Sequence, residues 1–246
     1  MKLTILGCSG TVPGPDSPAS GYLVEHEGFR LLLDLGQGAL GALQRFARPE
    51  QIDALLVSHL HPDHFIDMTG LATYLRWGPA RLYRRLPVIG PVDTEARLSA
   101  ACGDPGHPND LSEIFDFRTP TDGELGPFQL DFARMRHPIA CDGVRISAGG
   151  RSLVYSGDTG PTKALVTLAR DADLLLCEAA LEPGQVLPEL HLTGREAGEH
   201  AAAAGVGRLI VTHVPPWVSR TQAADEAQQT FDGPVTAAQP DAGYEL

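Results

Sequence analysis

The sequence is poor in the features that mark disulfide scaffolds, membrane proteins and polyanion binders. Its four cysteines, Cys8, Cys102, Cys141 and Cys177, are scattered with no Cys-x-x-Cys pair, which argues against a disulfide framework. No apolar stretch approaches the length of a membrane span. Met1 to Gly7 reads as a first strand, not as a basic start followed by a long apolar run. A soluble, cytoplasmic protein with no membrane partner is expected. Positive charge is also short: 19 Lys and Arg against 31 Asp and Glu leave a formal net charge of -12. Such a surface argues against wide electrostatic capture of nucleic acid, so no stable nucleic-acid partner is expected. A small anionic substrate remains compatible, because bound metal makes a site locally positive. There is no internal repeat and no linker long enough to divide the chain. With 43% hydrophobic residues it can bury a real core, and residues 1–246 are expected to form one domain. A homodimer is left open.

What is present is a dense run of metal-binding side chains, Ser58-His59-Leu60-His61-Pro62-Asp63-His64. Ile52 to Val57 before it reads as a buried strand, and Phe65, Met68, Leu71, Ala72 and Leu75 after it recur at helical spacing. The run therefore sits on a strand-to-helix loop, where several side chains can be brought to one point. Neutral imidazole and carboxylate suit zinc, manganese, iron or nickel. A polar turn that is His-rich by chance would explain one histidine. Crowding His-x-His-x-Asp-His without a cation would cost desolvation and repulsion.

The rest of the chain repeats one arrangement. Leu3 to Gly7 is a strand, Cys8 to Ser20 a Gly/Ser/Pro loop, and His26-Glu27-Gly28 a hairpin turn between two more strands. Asp34 closes the second of these, as a turn former or, preferably, as an acceptor orienting a metal-binding histidine. Ala39 to Ala47 is a short helix. Trp77 to Asp131 is the least regular stretch and is expected to form a rim or lid. It contains a strand at Pro87 to Gly90, a helix at Thr94 to Ala101 and an apolar run at Ile114 to Phe117. The basic cluster Arg76, Arg81, Arg84 and Arg85 at its start reads first as a solvated face, with phosphate or partner contact as the lesser reading. Gln129 to Met135 is a strand delivering His137. Val144 to Ile146 and Leu153 to Tyr155 are strands joined through Gly149-Gly150, the second delivering Asp158. A helix at Thr162 to Arg170 follows, and the strand Leu174 to Leu176 ends at Cys177-Glu178. Thr193 and Glu196 form a capping box opening a helix that Gly205 closes. Leu209 to Val211 is a strand delivering His213, and Ser219 with Gln222 opens a last helix to Phe231.

Residues with metal chemistry thus recur at the carboxyl ends of apolar strands, where they can converge. His26 in a turn, His107 in the irregular loop and His200 on an exposed helix face stand outside this rule and read as structural. His59, His61, His137, Asp158, Asp63, His64 and His213 make seven ligands, enough for two metals if Asp158 bridges.

This set resembles the metallo-β-lactamase fold superfamily, over nearly the whole chain and in the family's order. The resemblance implies an α/β fold, an αββα four-layer sandwich of two mixed sheets packed face to face with helices outside. It implies two divalent metal ions, zinc first and manganese as an alternative. One would sit at His59, His61, His137 and Asp158, the other at Asp63, His64, Asp158 and His213. The β-lactamases carry cysteine where this chain has Asp158, which disfavours that activity. Glyoxalase II shares the Asp but ends in a larger helical region absent here. Cys177-Glu178-Ala179-Ala180 and His191-Leu192-Thr193 are similar to elements of the ribonuclease Z branch, implying an auxiliary His191 oriented by Glu178. Bacterial tRNA-processing enzymes of that branch usually insert a long basic arm between the positions of His137 and Asp158, where this chain has only a short hairpin.

Leu6-Gly7-Cys8-Ser9-Gly10, Pro15 to Tyr22, Thr212 to Trp217 and Phe231 to Val235 further resemble a bacterial group of atypical class II cyclic-nucleotide phosphodiesterases. That resemblance implies hydrolysis of 3′,5′-cyclic nucleotides, cyclic AMP to 5′-AMP, by a hydroxide bridging two metals. Asp63 would orient the hydroxide and relay its proton. His191, held by Glu178, would contact the phosphoryl oxygen or protonate the leaving oxygen. The alternatives are a ribonuclease Z-like RNA phosphodiesterase and a carboxylic- or thio-ester hydrolase using the same metals. A metal-stabilised binding scaffold ranks last, because the ligand set is complete.

Overall fold

The computed structural model describes residues 1–79, 84–104, 106–187 and 189–246. Its strands form two seven-stranded sheets. The first is built from β1 (Lys2–Gly7), β2 (Gly21–His26), β3 (Phe29–Leu35), β4 (Ala54–Leu56), β5 (Leu86–Ile89) and β6 (Phe115–Arg118). The second takes β7 (Gly123–Leu125), β8 (Phe128–Arg134), β9 (Asp142–Ala148), β10 (Arg151–Tyr155), β11 (Leu174–Glu178), β12 (Leu209–Thr212) and β13 (Val235–Ala237). A last strand, β14 (Gly243–Glu245), returns to pair antiparallel with β1. Each sheet begins as an antiparallel meander and continues as parallel strands: β1-β2-β3 then β4-β5-β6, and β7-β8-β9-β10 then β11-β12-β13.

The apolar runs are nearly continuous because both faces of both sheets are covered. Successive side chains point to opposite faces, and the packing follows that alternation. Leu31, Leu33, Leu153, Tyr155, Leu174 and Leu176 pack in the layer shared by the two sheets. Leu32 and Leu55 face the outer layer made with α1 (Ala39–Leu43) and α3 (Met68–Trp77), which follows the short α2 (Pro62–Phe65). Val154, Leu175, Leu209 and Val211 face α5 (Lys163–Leu168), α6 (Gly194–Ala204) and α7 (Arg220–Gln228). Another helix, α4 (Thr94–Cys102), contacts α3. The result is the four-layer sandwich expected from the sequence.

Several expectations are refined. The Trp77–Asp131 stretch contributes β5, α4, β6 and β7, so most of its described part extends the first sheet and its outer layer. Residues 80–83 and 105, with Arg81 of the basic cluster, lie outside the described residues. Arg76 bonds Asn109 and the Asp110 carbonyl, and Arg84 bonds Asp53. The hairpin turn is only Glu27-Gly28, because His26 still pairs with Phe29 at the end of β2. His200 is buried and not on an exposed face. Its Nε2 accepts from the Thr162 N–H at 3.1 Å and its Nδ1 lies 2.7 Å from the Glu196 carbonyl, so it joins α6 to the start of α5. The Thr193–Glu196 capping box and the left-handed Gly205 are both present. The final helix stops at Gln228, short of Phe231.

Candidate metal centre

Asp34 at the end of β3 anchors the loop that follows β4. Its carboxylate accepts the Ser58 N–H at 2.7 Å and the Ser58 hydroxyl at 2.8 Å. The Tyr155 hydroxyl and His64 Nδ1 each lie 2.7 Å from its Oδ2. His61 then caps α2 in extended conformation, with Pro62 at the first helical position, where a missing N–H costs nothing. That start places Asp63 and His64 in one tight turn beneath His59 and His61. Gly36 is needed for the close approach: a Cβ there would sit 1.9 Å from the Asp63 carbonyl oxygen. Thr11, Asp34 and His213 hold positive φ values of 64°, 56° and 54°. A β-branched or bulky residue rarely takes that conformation, and such strain collects at sites where the surroundings over-determine it. The Thr11 N–H donates to Asp63 Oδ2 at 2.9 Å.

The strand ends bring together all seven residues read from the sequence as ligands. Donor atoms of His59, His61, His137 and Asp158 lie within 4.8 Å of one another, as do those of Asp63, His64 and His213. His61 Nδ1 sits 3.0 Å from His59 Nε2 and 3.2 Å from His137 Nε2. Asp158 lies between the two groups. Its Oδ2 is 3.6 Å from His59 Nε2 and 3.3 Å from His213 Nε2, and its Oδ1 is 3.3 Å from His64 Nε2.

The outer nitrogens are held from behind. His59 Nδ1 lies 3.1 Å from Ser58 Oγ, His137 Nδ1 3.1 Å from the Leu190 carbonyl, and His213 Nδ1 3.0 Å from Ser20 Oγ. With Asp34 on His64, four imidazoles turn Nε2 inward, and His61 turns Nδ1. Partners of this kind fix the tautomer of metal-binding histidines. His64 Nε2, His213 Nε2 and Asp158 Oδ1 are buried with no hydrogen-bond partner among the described residues. Buried polar atoms are normally paired. Three buried polar atoms without a hydrogen-bond partner, gathered in one place, fit a cation, and the imidazole–carboxylate donor set suits divalent metals.

The electrostatics agree. Burial and the neighbouring His64 push His59 well below the usual imidazole range, and burial lowers His61 and His137. Burial pushes His213 down to about 4. These rings stay neutral, as ligands must. Burial would raise Asp158, but His213, His64 and His59 hold it well below the ordinary carboxylate range. Burial likewise opposes charge on His64, yet Asp158 and Asp34 hold it well above 6.5 without metal.

His191 lies at the edge of this cluster. Its ring is 5.6 Å from that of His213 and 5.8 Å from that of His137, centroid to centroid. Its Nδ1 is 2.9 Å from Glu178 Oε1, the pairing expected from the sequence. Glu178 is fully buried at the end of β11 and also accepts the N–H groups of Thr159, Ala180 and Leu192. Burial opposes charge on His191, but the Glu178 carboxylate and then Asp158 raise it to about 9. Asp158, His191 and His213 also fall within 4.8 Å, so distance alone would admit His191 as a ligand. Its Nδ1 is already engaged by Glu178, as in the auxiliary, oriented role expected from the sequence.

Sequence reasoning missed Tyr155, Ser20 and the Leu190 carbonyl. Tyr155 was within reach, since it closes the strand that delivers Asp158 and faces the shared layer. The other two contacts carry no local signal.

A family model described as the Beta-lactamase superfamily domain matches residues 29–214. The chain is 49% identical over 245 residues to the Mycobacterium leprae protein ML1173, covering 96% of this chain and 86% of that one. It is 31% identical over 294 residues to a ribonuclease Z of Halorubrum lacusprofundi, covering 95% and 93%. The crystal structure of YhfI of Bacillus subtilis, a metallo-beta-lactamase fold protein, superposes with a TM-score of 0.88 at 28% identity, covering 100% and 99%. The chain therefore belongs to the beta-lactamase superfamily domain family, as a metallo-hydrolase on its ribonuclease Z-like branch.

Proposed function

We propose that the chain is a metal-dependent phosphodiesterase that opens 3′,5′-cyclic nucleotides, cyclic AMP first, to the 5′-monophosphate. The observation that carries this reading is His191 at the edge of the imidazole–carboxylate cluster, its Nδ1 2.9 Å from the buried Glu178 carboxylate. An alkoxide leaving group needs a proton, and a positioned general acid contributes about 10²–10⁴-fold. Two divalent ions, zinc or manganese, would be held by His59, His61, His137 and Asp158 and by Asp63, His64, Asp158 and His213. When bound they would supply Lewis-acid polarisation of the phosphoryl group and an activated water. Asp63, fixed by the Thr11 N–H, orients that water and takes its proton. His191 gives its proton to the departing 3′-oxygen as the P–O bond breaks, and Glu178 stabilises the imidazolium beforehand.

The small substrate is supported by the span from His137 to Asp158. It is filled by β9 and β10, joined by Gly149-Gly150 at φ 58° and 74°, with no projecting arm. The net charge of -12 offers no basic footprint for RNA. No stable nucleic-acid partner is expected. A second reading, an RNA phosphodiesterase, is favoured by the 31% identity to the Halorubrum ribonuclease Z. That alignment runs over 294 residues against 246 in this chain, so the relative carries segments without counterpart here. A panel of 3′,5′- and 2′,3′-cyclic nucleotides, cyclic dinucleotides, short RNA and pre-tRNA, tested with metal-reconstituted protein, separates the two. Cleavage of pre-tRNA at its 3′ trailer with cyclic nucleotides untouched would overturn the first reading.

A further inference from the structure

The large apolar side chains left exposed gather on the loops that carry the centre. Val12, Ile139, Val186, Leu187 and Trp217 are all exposed, and among the described residues Phe46, Trp77 and Val92 are the exposed large hydrophobics outside these loops. Val12 follows Thr11, whose N–H holds Asp63, and Trp217 lies four residues after His213. These two loops pack side by side. The Val214 N–H donates to the Cys8 carbonyl at 3.2 Å, and a Cβ on Gly10 would lie 2.3 Å from the His213 carbonyl oxygen. Ile139 lies two residues after His137, and Leu187 four before His191. Their loops are joined as well, by His137 Nδ1 against the Leu190 carbonyl and by the Arg136–Glu189 ion pair.

The exposed apolar residues thus fall on two pairs of joined loops: Val12 and Trp217 on the pair that carries His213, and Ile139, Val186 and Leu187 on the pair that carries His137 and His191. The His191 ring lies 5.8 Å from that of His137 and 5.6 Å from that of His213. The arginines flanking these loops are already engaged, Arg136 by Glu189 and Arg220 by Asp16 at 3.1 Å. The rim therefore does not present those cations for tracking a phosphate chain. It presents one flat aromatic surface, Trp217, 62% exposed.

The geometry points to Trp217 as the platform on which the substrate's base stacks, its single phosphate at the metal centre; this rests on the phosphodiesterase reading above. An exposed indole four residues after His213 can offer a π-face to a base and tolerates differences between bases. Base–aromatic stacking is worth roughly 5- to 150-fold in affinity. Trp217 is a binding residue, so its loss should raise KM and leave kcat near that of the wild type.

Trp77 and Trp217 are the two tryptophans of the chain, so Trp77→Phe leaves Trp217 as the sole indole reporter. In metal-loaded W77F protein, 5′-AMP should quench the fluorescence and ribose 5-phosphate should not. Trp217→Ala should raise KM for cyclic AMP roughly 5- to 150-fold, and Trp217→Phe should recover most of that loss. An unchanged KM in W217A overturns the platform while leaving the phosphodiesterase reading intact. If cyclic AMP is not opened at all, the phosphodiesterase reading fails and the quench alone decides: base-dependent quenching upholds the platform, and its absence overturns it.

Discussion

Replacing Asp34 by asparagine alters one buried atom behind the centre and should loosen the metal. Asparagine tolerates the left-handed backbone that Asp34 adopts at φ 56°, so the loop keeps its course. The difficulty lies in the donors. Asp34 Oδ2 receives the Ser58 and Tyr155 hydroxyls and His64 Nδ1, and Oδ1 receives the Ser58 N–H. An NH₂ at Oδ2 lets the hydroxyls rotate to accept, but the imidazole cannot turn away. His64 would have to carry its proton on Nε2, the atom facing Asp158. The flipped amide instead meets the Ser58 N–H, a donor against a donor. Lost partners of this kind cost about 10–100-fold in metal affinity. The metal-free protein should lose about 1.5–3 kcal/mol with the charge-assisted bond. Chelator competition gives the first number, and denaturant unfolding in excess chelator the second. A D34N variant that holds zinc within twofold of the wild type would refute the tautomer reasoning.

His191→Ala should retain metal content and lower turnover roughly 10²–10⁴-fold; near-wild-type turnover with every phosphodiester would reduce His191 to a structural role. In the metal-free protein His191 should titrate at about 9, above its ordinary 6.5. Because the folded value is the higher one, its stabilising contribution is complete below about pH 6.5 and disappears as pH rises through about 9. Imidazole resonances and unfolding free energies across that window check this, and Glu178→Gln should abolish both effects. Gly36→Ala would set a Cβ 1.9 Å from the Asp63 carbonyl oxygen. It should cost about 1–3 kcal/mol of stability through overpacking and weaken metal binding together with it, read by thermal unfolding and metal titration; a variant with normal stability and affinity would mean the loop yields freely.

The sandwich could be read from the sequence because its strands are buried on both faces. Runs such as Leu31-Leu32-Leu33 and Leu174-Leu175-Leu176 cannot be one-sided. The centre could be read because its residues end those strands, and strand ends share an edge. Edge pairing was harder. β7, β13 and β14 have three residues each, with half-exposed or exposed side chains, so no apolar pattern announces them. His200 was misplaced although it shares the face of α6 that buries Ala197, Ala201 and Ala204; those alanines give only a faint apolar stripe, and the partner at the start of α5 carries no local signal. The supports behind the cluster were hidden for a related reason. Tyr155 reaches Asp34 across 121 positions and Ser20 reaches His213 across 193, and neither spacing is periodic.

Titration of the metal-free protein with zinc, following cyclic AMP opening after each addition, bears most directly on whether Asp158 joins two cation sites into one phosphodiester centre. Activity should rise until two equivalents per chain are bound and then stay level, with 5′-AMP as product, and Asp158→Ala should show neither stoichiometric binding nor activity. Activity complete at one equivalent, or no opening of cyclic AMP with two equivalents bound, would contradict it.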